Sequence, residues 1–230
     1  MPVLDWLGPA AIALLLTGVQ LTIVARHPEP ASDEPDAQHK PRYADLVRPS
    51  AVLGLMAATL ACCLPVLGWA PVEMRGVGLV WGSAALVLVT VDARTTWLPI
   101  RASHFTAAAL IMATLITAIW APDGARLALH ALLGAAASGG VFALLWWISR
   151  SIGFGDVRLA AMAGGLTGMW SMELWYTSLL AGSIAAACWG VTVSLWRRRR
   201  PSPLGKAFAY GPGLWLGPWL GWAWLAVAAR

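Results

Sequence analysis

Long apolar runs, following one another with only short polar breaks, limit most what this chain can become. They lie at roughly 7–25, 50–68, 77–93, 102–120, 127–149, 157–171, 174–195 and 211–228. A helix needs about 20 mostly apolar residues to cross the hydrocarbon of a bilayer, and most of these runs are of that order. The sixth is short enough to be re-entrant or interfacial. Only 12% of the 230 residues are charged, against about a quarter in a soluble domain. That excludes a soluble enzyme, a disordered chain and a disulfide scaffold. The glycines and prolines scattered through the runs are better tolerated in membrane helices than in soluble ones. The expectation is an all-α, polytopic membrane protein of about eight transmembrane helices, forming a single membrane domain over residues 1–230. The first run has Asp5 where a signal peptide would carry Lys or Arg, and its apolar stretch is too long for one, so it is expected to be a retained helix.

Charge then orients the helices. With the N-terminus outside, thirteen of the sixteen Lys and Arg residues fall in inner segments, and only Arg75, Arg126 and Arg230 fall outside. Cytoplasmic loops hold such an excess. The net charge of +5 and pI near 9.6 are therefore assigned to basic inner loops rather than to a nucleic-acid partner. Trp69, Trp97, Trp120, Trp175, Trp196 and Trp215 lie near predicted helix ends, as interfacial anchors do. Residues 26–49 form the one sizeable polar stretch, with Glu29, Asp33, Glu34, Asp36 and Asp45 among prolines and no apolar periodicity; a loosely ordered cytoplasmic loop is expected. Arg197–Arg200 is expected to be a second inner-loop anchor at the leaflet surface.

The acidic residues sort more sharply. Five of eleven lie in the 26–49 loop, and Asp5, Glu73, Asp123 and Glu173 fall at outer ends or outer loops. Asp92 and Asp156 remain. Asp92 ends the third run and Asp156 opens the sixth, so two helices each deliver a carboxylate to the same inner face. Ionisable groups at such depth are functional-site candidates. The blander reading is that they are solvated helix-end residues paired with Arg94 and Arg158. Asp156 follows Gly153-Phe154-Gly155, and Ala160, Gly164 and Gly168 then recur every four residues on its helix face. Such a stripe lets another helix pack backbone to backbone; Gly213, Gly217 and Gly221 mark the last run in the same way. Two carboxyl groups brought within a few ångströms share one proton. One can then draw a proton from water while the other donates to a peptide carbonyl, which is aspartyl proteolysis. No competing constellation is present. Cys62, Cys63 and Cys188 have no metal-ligand spacing, His104 is the one inner-side histidine near the pair, and no cofactor motif occurs.

The stretch Gly153-Phe154-Gly155-Asp156-Val157-Arg158-Leu159-Ala160-Ala161-Met162-Ala163-Gly164 resembles the second aspartate motif of bacterial type IV prepilin peptidases. Val91-Asp92-Ala93-Arg94-Thr95-Thr96-Trp97-Leu98-Pro99 is similar to that family's first motif, an aspartate followed seven residues later by proline. Tyr210-Gly211-Pro212-Gly213-Leu214 resembles its late Phe-Gly-Pro segment. The resemblance covers about residues 50–228, as a peptidase-like core. It implies an inner-membrane aspartyl endopeptidase with Asp92 and Asp156 as the catalytic pair. Gly153, Gly155 and Pro99 would shape the site, and Arg94 and Arg158 would steer substrate or tune the pair. The implied partners are membrane lipid and the helical prepilins, or the pseudopilins of type II secretion, cut after a short basic leader. Arg158 replaces the usual Lys, and Ile100 stands where Asp or Asn is common. The zinc-binding CxxC domain of many members is replaced by the 26–49 loop, in which Arg42-Tyr43 matches only part of the usual Arg-Tyr-Pro stretch. The resemblance thus implies no metal or cofactor and leaves the N-methylation of bifunctional members unsupported. Two other readings stay open: an ion-coupled transporter relaying through the two aspartates, and an inactive scaffold.

Overall fold

A computed structural model describes residues 4–28, 41–149, 152–199 and 208–228. Among these residues there is no strand, and helices occupy all of the apolar runs. They are α1 (Leu4–Ala25), α2 (Pro49–Trp69), α3 (Val72–Thr95), α4 (Ile100–Trp120), α5 (Gly124–Ser149), α6 (Phe154–Gly168), α7 (Met172–Arg199) and α8 (Gly211–Ala228). Six of them, α1 to α5 and α7, are long and apolar enough to cross a membrane. The chain is therefore all-α with the helices of a multi-pass membrane protein. The two remaining helices fall short for different reasons. The 15 residues of α6 rise only about 22 Å, less than the ~30 Å hydrocarbon thickness. In α8, repeated Gly, Pro and Trp dilute the aliphatic content.

Proline explains several boundaries. Pro49 occupies the first turn of α2, where its missing N–H leaves nothing unsatisfied. Ala70 and Ala121, which end α2 and α4, are extended with ψ of 141° and 143°. Each precedes a proline, which disfavours helical backbone at the residue before it.

The centre of the fold is α3. Of its most apolar window 78% is buried, against 22–28% for the other five long helices. It is apolar on every side over Val77–Val89, as a helix surrounded by protein must be. Midway, Trp81–Ala85 widen into a π turn, all five residues buried. Such a turn loosens the backbone ladder, and here the Trp81 carbonyl accepts a bond from Trp215 Nε1 at 2.9 Å. Trp81 Nε1 donates in return to the Trp215 carbonyl at 3.1 Å. This reciprocal clasp ties α3 to α8. Elsewhere, Thr17 and Thr59 hydroxyls meet at 2.8 Å between α1 and α2, and Gln20 Nε2 donates to the Ala102 carbonyl and Thr106 Oγ1 of α4, each at 3.1 Å.

The two small-residue stripes form the most extensive seams, α5 on α6 and α7 on α8. A methyl group added at Gly164 would run into Ser138 and the Gly134 carbonyl, and one at Gly168 would lie 2.9 Å from Gly134 Cα. On the other seam Gly213, Gly217 and Gly221 leave room for Ala186, Gly182 and Ser178. Both stripes thus act as the spacing suggested.

Of the polar stretch 26–49, residues 29–40 lie outside the described residues. The part that follows is more ordered than its composition suggested. Ala44–Leu46 make a 3-10 turn, and Tyr43 is buried with its ring edge-on to His27 at 5.3 Å. Arg200 and Lys206 also lie outside the described residues, while Arg197–Arg199 form the last turn of α7.

Candidate active site

Asp92 lies one turn before the end of α3 and is only 3% exposed. The helix stops because Thr96 turns left-handed, at φ 58°, and sends its N–H back to the Asp92 carbonyl at 2.7 Å. A β-branched residue rarely takes that conformation, and Thr96 is the one non-glycine residue with positive φ among those described. Thr95 braces the turn: its hydroxyl donates to the Val91 carbonyl at 2.9 Å and receives the Trp97 N–H at 3.1 Å. The Asp92 side chain points across to the start of α8, where Oδ2 accepts the Gly211 N–H at 2.9 Å. That donor is one of the backbone N–H groups left without a partner at any helix N-terminus.

Asp156 is held differently. It is the third residue of α6, and its Oδ2 accepts the N–H of Gly153, the residue that caps the helix, at 3.1 Å. The Asp156 N–H returns to the Gly153 carbonyl at 2.9 Å. Asp156 is 8% exposed, and its second oxygen, Oδ1, is buried with no hydrogen-bond partner. A buried carboxylate oxygen without a donor is costly.

Tyr210-Gly211 joins the end of α3 to α6. Gly211 binds Asp92, and the space beside its Cα is closed by Asp92 Oδ2 and by Leu159 Cδ2, one turn beyond Asp156. The Tyr210 phenol is held above its usual pKa, mainly by burial and further by the nearby charge of Asp156, with a Ser183 hydrogen bond working in the opposite direction. Tyr210 also packs edge-on to Phe142 of α5 at 6.2 Å. Gly211, at the start of α8, thus holds Asp92 at the end of α3 and packs against Leu159 of α6, one turn beyond Asp156.

The other expected residues surround this centre. Gly155 presses on Leu98, and a Cβ there would lie 2.8 Å from that side chain. Gly153 has open space except for Asp156 Oδ2, so its contribution is its N–H. Pro99 is buried and starts α4, its carbonyl taking the Ser103 N–H at 2.9 Å. Arg158 is half-buried and reaches the Leu98 carbonyl with Nη2 at 3.5 Å, near enough to Asp156 to act on its charge. Arg94 is exposed and lines a separate cavity of about 330 Å³ with Leu46, Thr90 and Val91. His104 is exposed, one turn into α4. Sequence reasoning set Tyr210-Gly211 apart by its resemblance but assigned it no part in the site. The signal that could have found Gly211 was its place as the first residue of a helix after a break, where an N–H is always left over. Among the described residues no group of three or more His, Cys, Asp or Glu is placed to hold a metal.

Neither a family model, nor a curated protein, nor a solved structure matches this chain. The functional reading therefore rests on the geometry and on the motif resemblance.

Proposed function

We propose that this protein is an intramembrane aspartyl endopeptidase of the prepilin peptidase type. In this reading the chain is a multi-pass protein of the bacterial inner membrane with eight spans and the N-terminus outside. It removes the basic leader from prepilin or pseudopilin substrates at the cytoplasmic face, and no feature of the chain supports N-methylation of the product. The observation that carries it is a pair of buried carboxyl groups, Asp92 accepting the Gly211 N–H and Asp156 the Gly153 N–H, with Gly211 packed on Leu159, one turn beyond Asp156. Asp92 has one oxygen anchored to a backbone N–H, which orients it toward a fixed point. Asp156 keeps Oδ1 buried without a hydrogen-bond partner, so a water or peptide group admitted to the site would find it unsatisfied. One carboxylate as general base and its protonated partner as general acid would share the work, as in other two-carboxyl hydrolases.

The transporter reading has less behind it, because a relay is expected near mid-depth on interrupted helices. Here both aspartates lie within a turn of a helix end. Cleavage of a prepilin-like substrate in membranes tests the proposal. Wild type should cleave, while Asp92→Ala and Asp156→Ala should each lower the rate by at least about 1,000-fold. Undiminished cleavage by either variant rejects the pair, and mass spectrometry of the product's N-terminus reads methylation directly.

A further inference from the structure

A groove of about 630 Å³ opens between α4, α5 and α6. Its volume is in the range of ligand sites. Its walls are small or aliphatic, with Ala107, Ile111, Leu132 and Ala161 typical of them. Ser103, His104 and Arg158 line it near the starts of α4 and α6, and Thr114 is the other polar residue, farther along α4. From Ser103 to Leu115 the groove follows α4 for twelve residues, about 18 Å. That is close to the ~15 Å depth of hydrocarbon in one leaflet.

The charged end is under-satisfied. Arg158 Nε and Nη1 are buried without hydrogen-bond partners, and Nη2 has only the 3.5 Å contact to the Leu98 carbonyl; Asp156 lies near enough to act on its charge but makes no hydrogen bond to it. A guanidinium in apolar surroundings calls for acceptors, and its planar fork suits phosphate oxygens above all.

We propose that the groove is a binding site for an anionic phospholipid. The headgroup phosphate is held by Arg158 beside His104, and one acyl chain lies along α4 toward Leu115. Arg158 turns Nη2 and Nη1 onto the phosphate, which replaces the weak carbonyl contact with charge-assisted bonds. The site stands whether or not the chain is a peptidase, because it rests on the groove and on Arg158 alone.

Native mass spectrometry of the full chain, released from mixed phosphatidylglycerol and phosphatidylcholine vesicles, tests it. The wild type should retain phosphatidylglycerol over phosphatidylcholine by roughly tenfold. Arg158→Gln should equalise the two lipids. Arg101→Gln, which removes an exposed charge one turn away that does not line the groove, should leave the preference intact. Ala107→Phe should fill the groove and abolish retention of either lipid while both polar partners remain, so it carries the test even if Arg158→Gln fails to fold. Equal retention of both lipids by wild type overturns the proposal. So does an equal loss in the Arg101 and Arg158 variants, which would mark a diffuse surface charge. Capture of an apolar peptide helix, in preference to lipid, by a photo-crosslinker at Ile111 also overturns it.

Discussion

The end of α3 and the start of α6 each bury one aspartate, and they hold it in opposite ways. Asp92 is anchored across the fold by an N–H 119 residues away. Asp156 is anchored within its own first turn, three residues from its donor. The first depends on α3 and α8 being in place together; the second would survive if α6 folded alone. The contrast also divides the chemistry. The long-range tie fixes the direction of Asp92, while the local cap leaves Asp156 Oδ1 without a partner.

Gly211→Ala would break the comparison hardest. Its Cβ would fall 2.6 Å from Asp92 Oδ2 and 3.3 Å from Leu159 Cδ2, forcing the carboxylate off its donor. A misplacement of about 1 Å costs on the order of 100-fold in rate, and a cleavage assay with intact folding by circular dichroism should show a loss of that size. Wild-type activity would mean that the α8 tie does not position Asp92.

Gly153 sharpens the other half. Its φ of −71° already suits proline, so Gly153→Pro deletes the N–H donor with little change of shape. Losing one bond to a charged oxygen should lower activity about tenfold. Gly153→Ala keeps the donor and adds only an ordinary 3.5 Å contact with Asp156 Oδ2, so it should behave like wild type. If the alanine variant is the more damaged of the two, the first glycine of the motif serves the approach of substrate rather than the cap.

The smallest effect is expected at Thr96. Glycine relieves the left-handed strain but loses more entropy on folding, leaving a net gain of about 1 kcal/mol. Thermal unfolding of Thr96→Gly in detergent should show a modest rise in Tm. A fall would assign the stability of this turn to the threonine hydroxyl, which donates to the Thr95 carbonyl at 2.6 Å.

Much of the fold was legible because membrane helices announce themselves locally. Runs expected at 50–68 and 102–120 became Pro49–Trp69 and Ile100–Trp120, since proline and apolar length act on adjacent residues. Starts such as Val72 and Gly124 came several residues earlier than expected, because less apolar first turns can still be helical. The burial of α3 was not legible: its composition differs little from that of its neighbours, and only their packing removed it from the surface. The ordered turn around Tyr43 was hidden for a related reason, as a polar stretch gives no sign that one of its aromatic rings will find a pocket.

The candidate site divides along the same line. Scarcity of charge singled out Asp92 and Asp156, because each ionisable group in so apolar a chain must be placed where its cost is met. Helix class and the small-residue stripes were likewise decided by sequence, through backbone and side-chain preferences that act over a few residues. The tertiary structure decided which carboxylate is tied to Gly211, which oxygen is left without a partner, and that Gly211 packs on Leu159 of α6. Those outcomes depend on hydrogen-bond geometry between groups far apart in the chain, which no local pattern encodes.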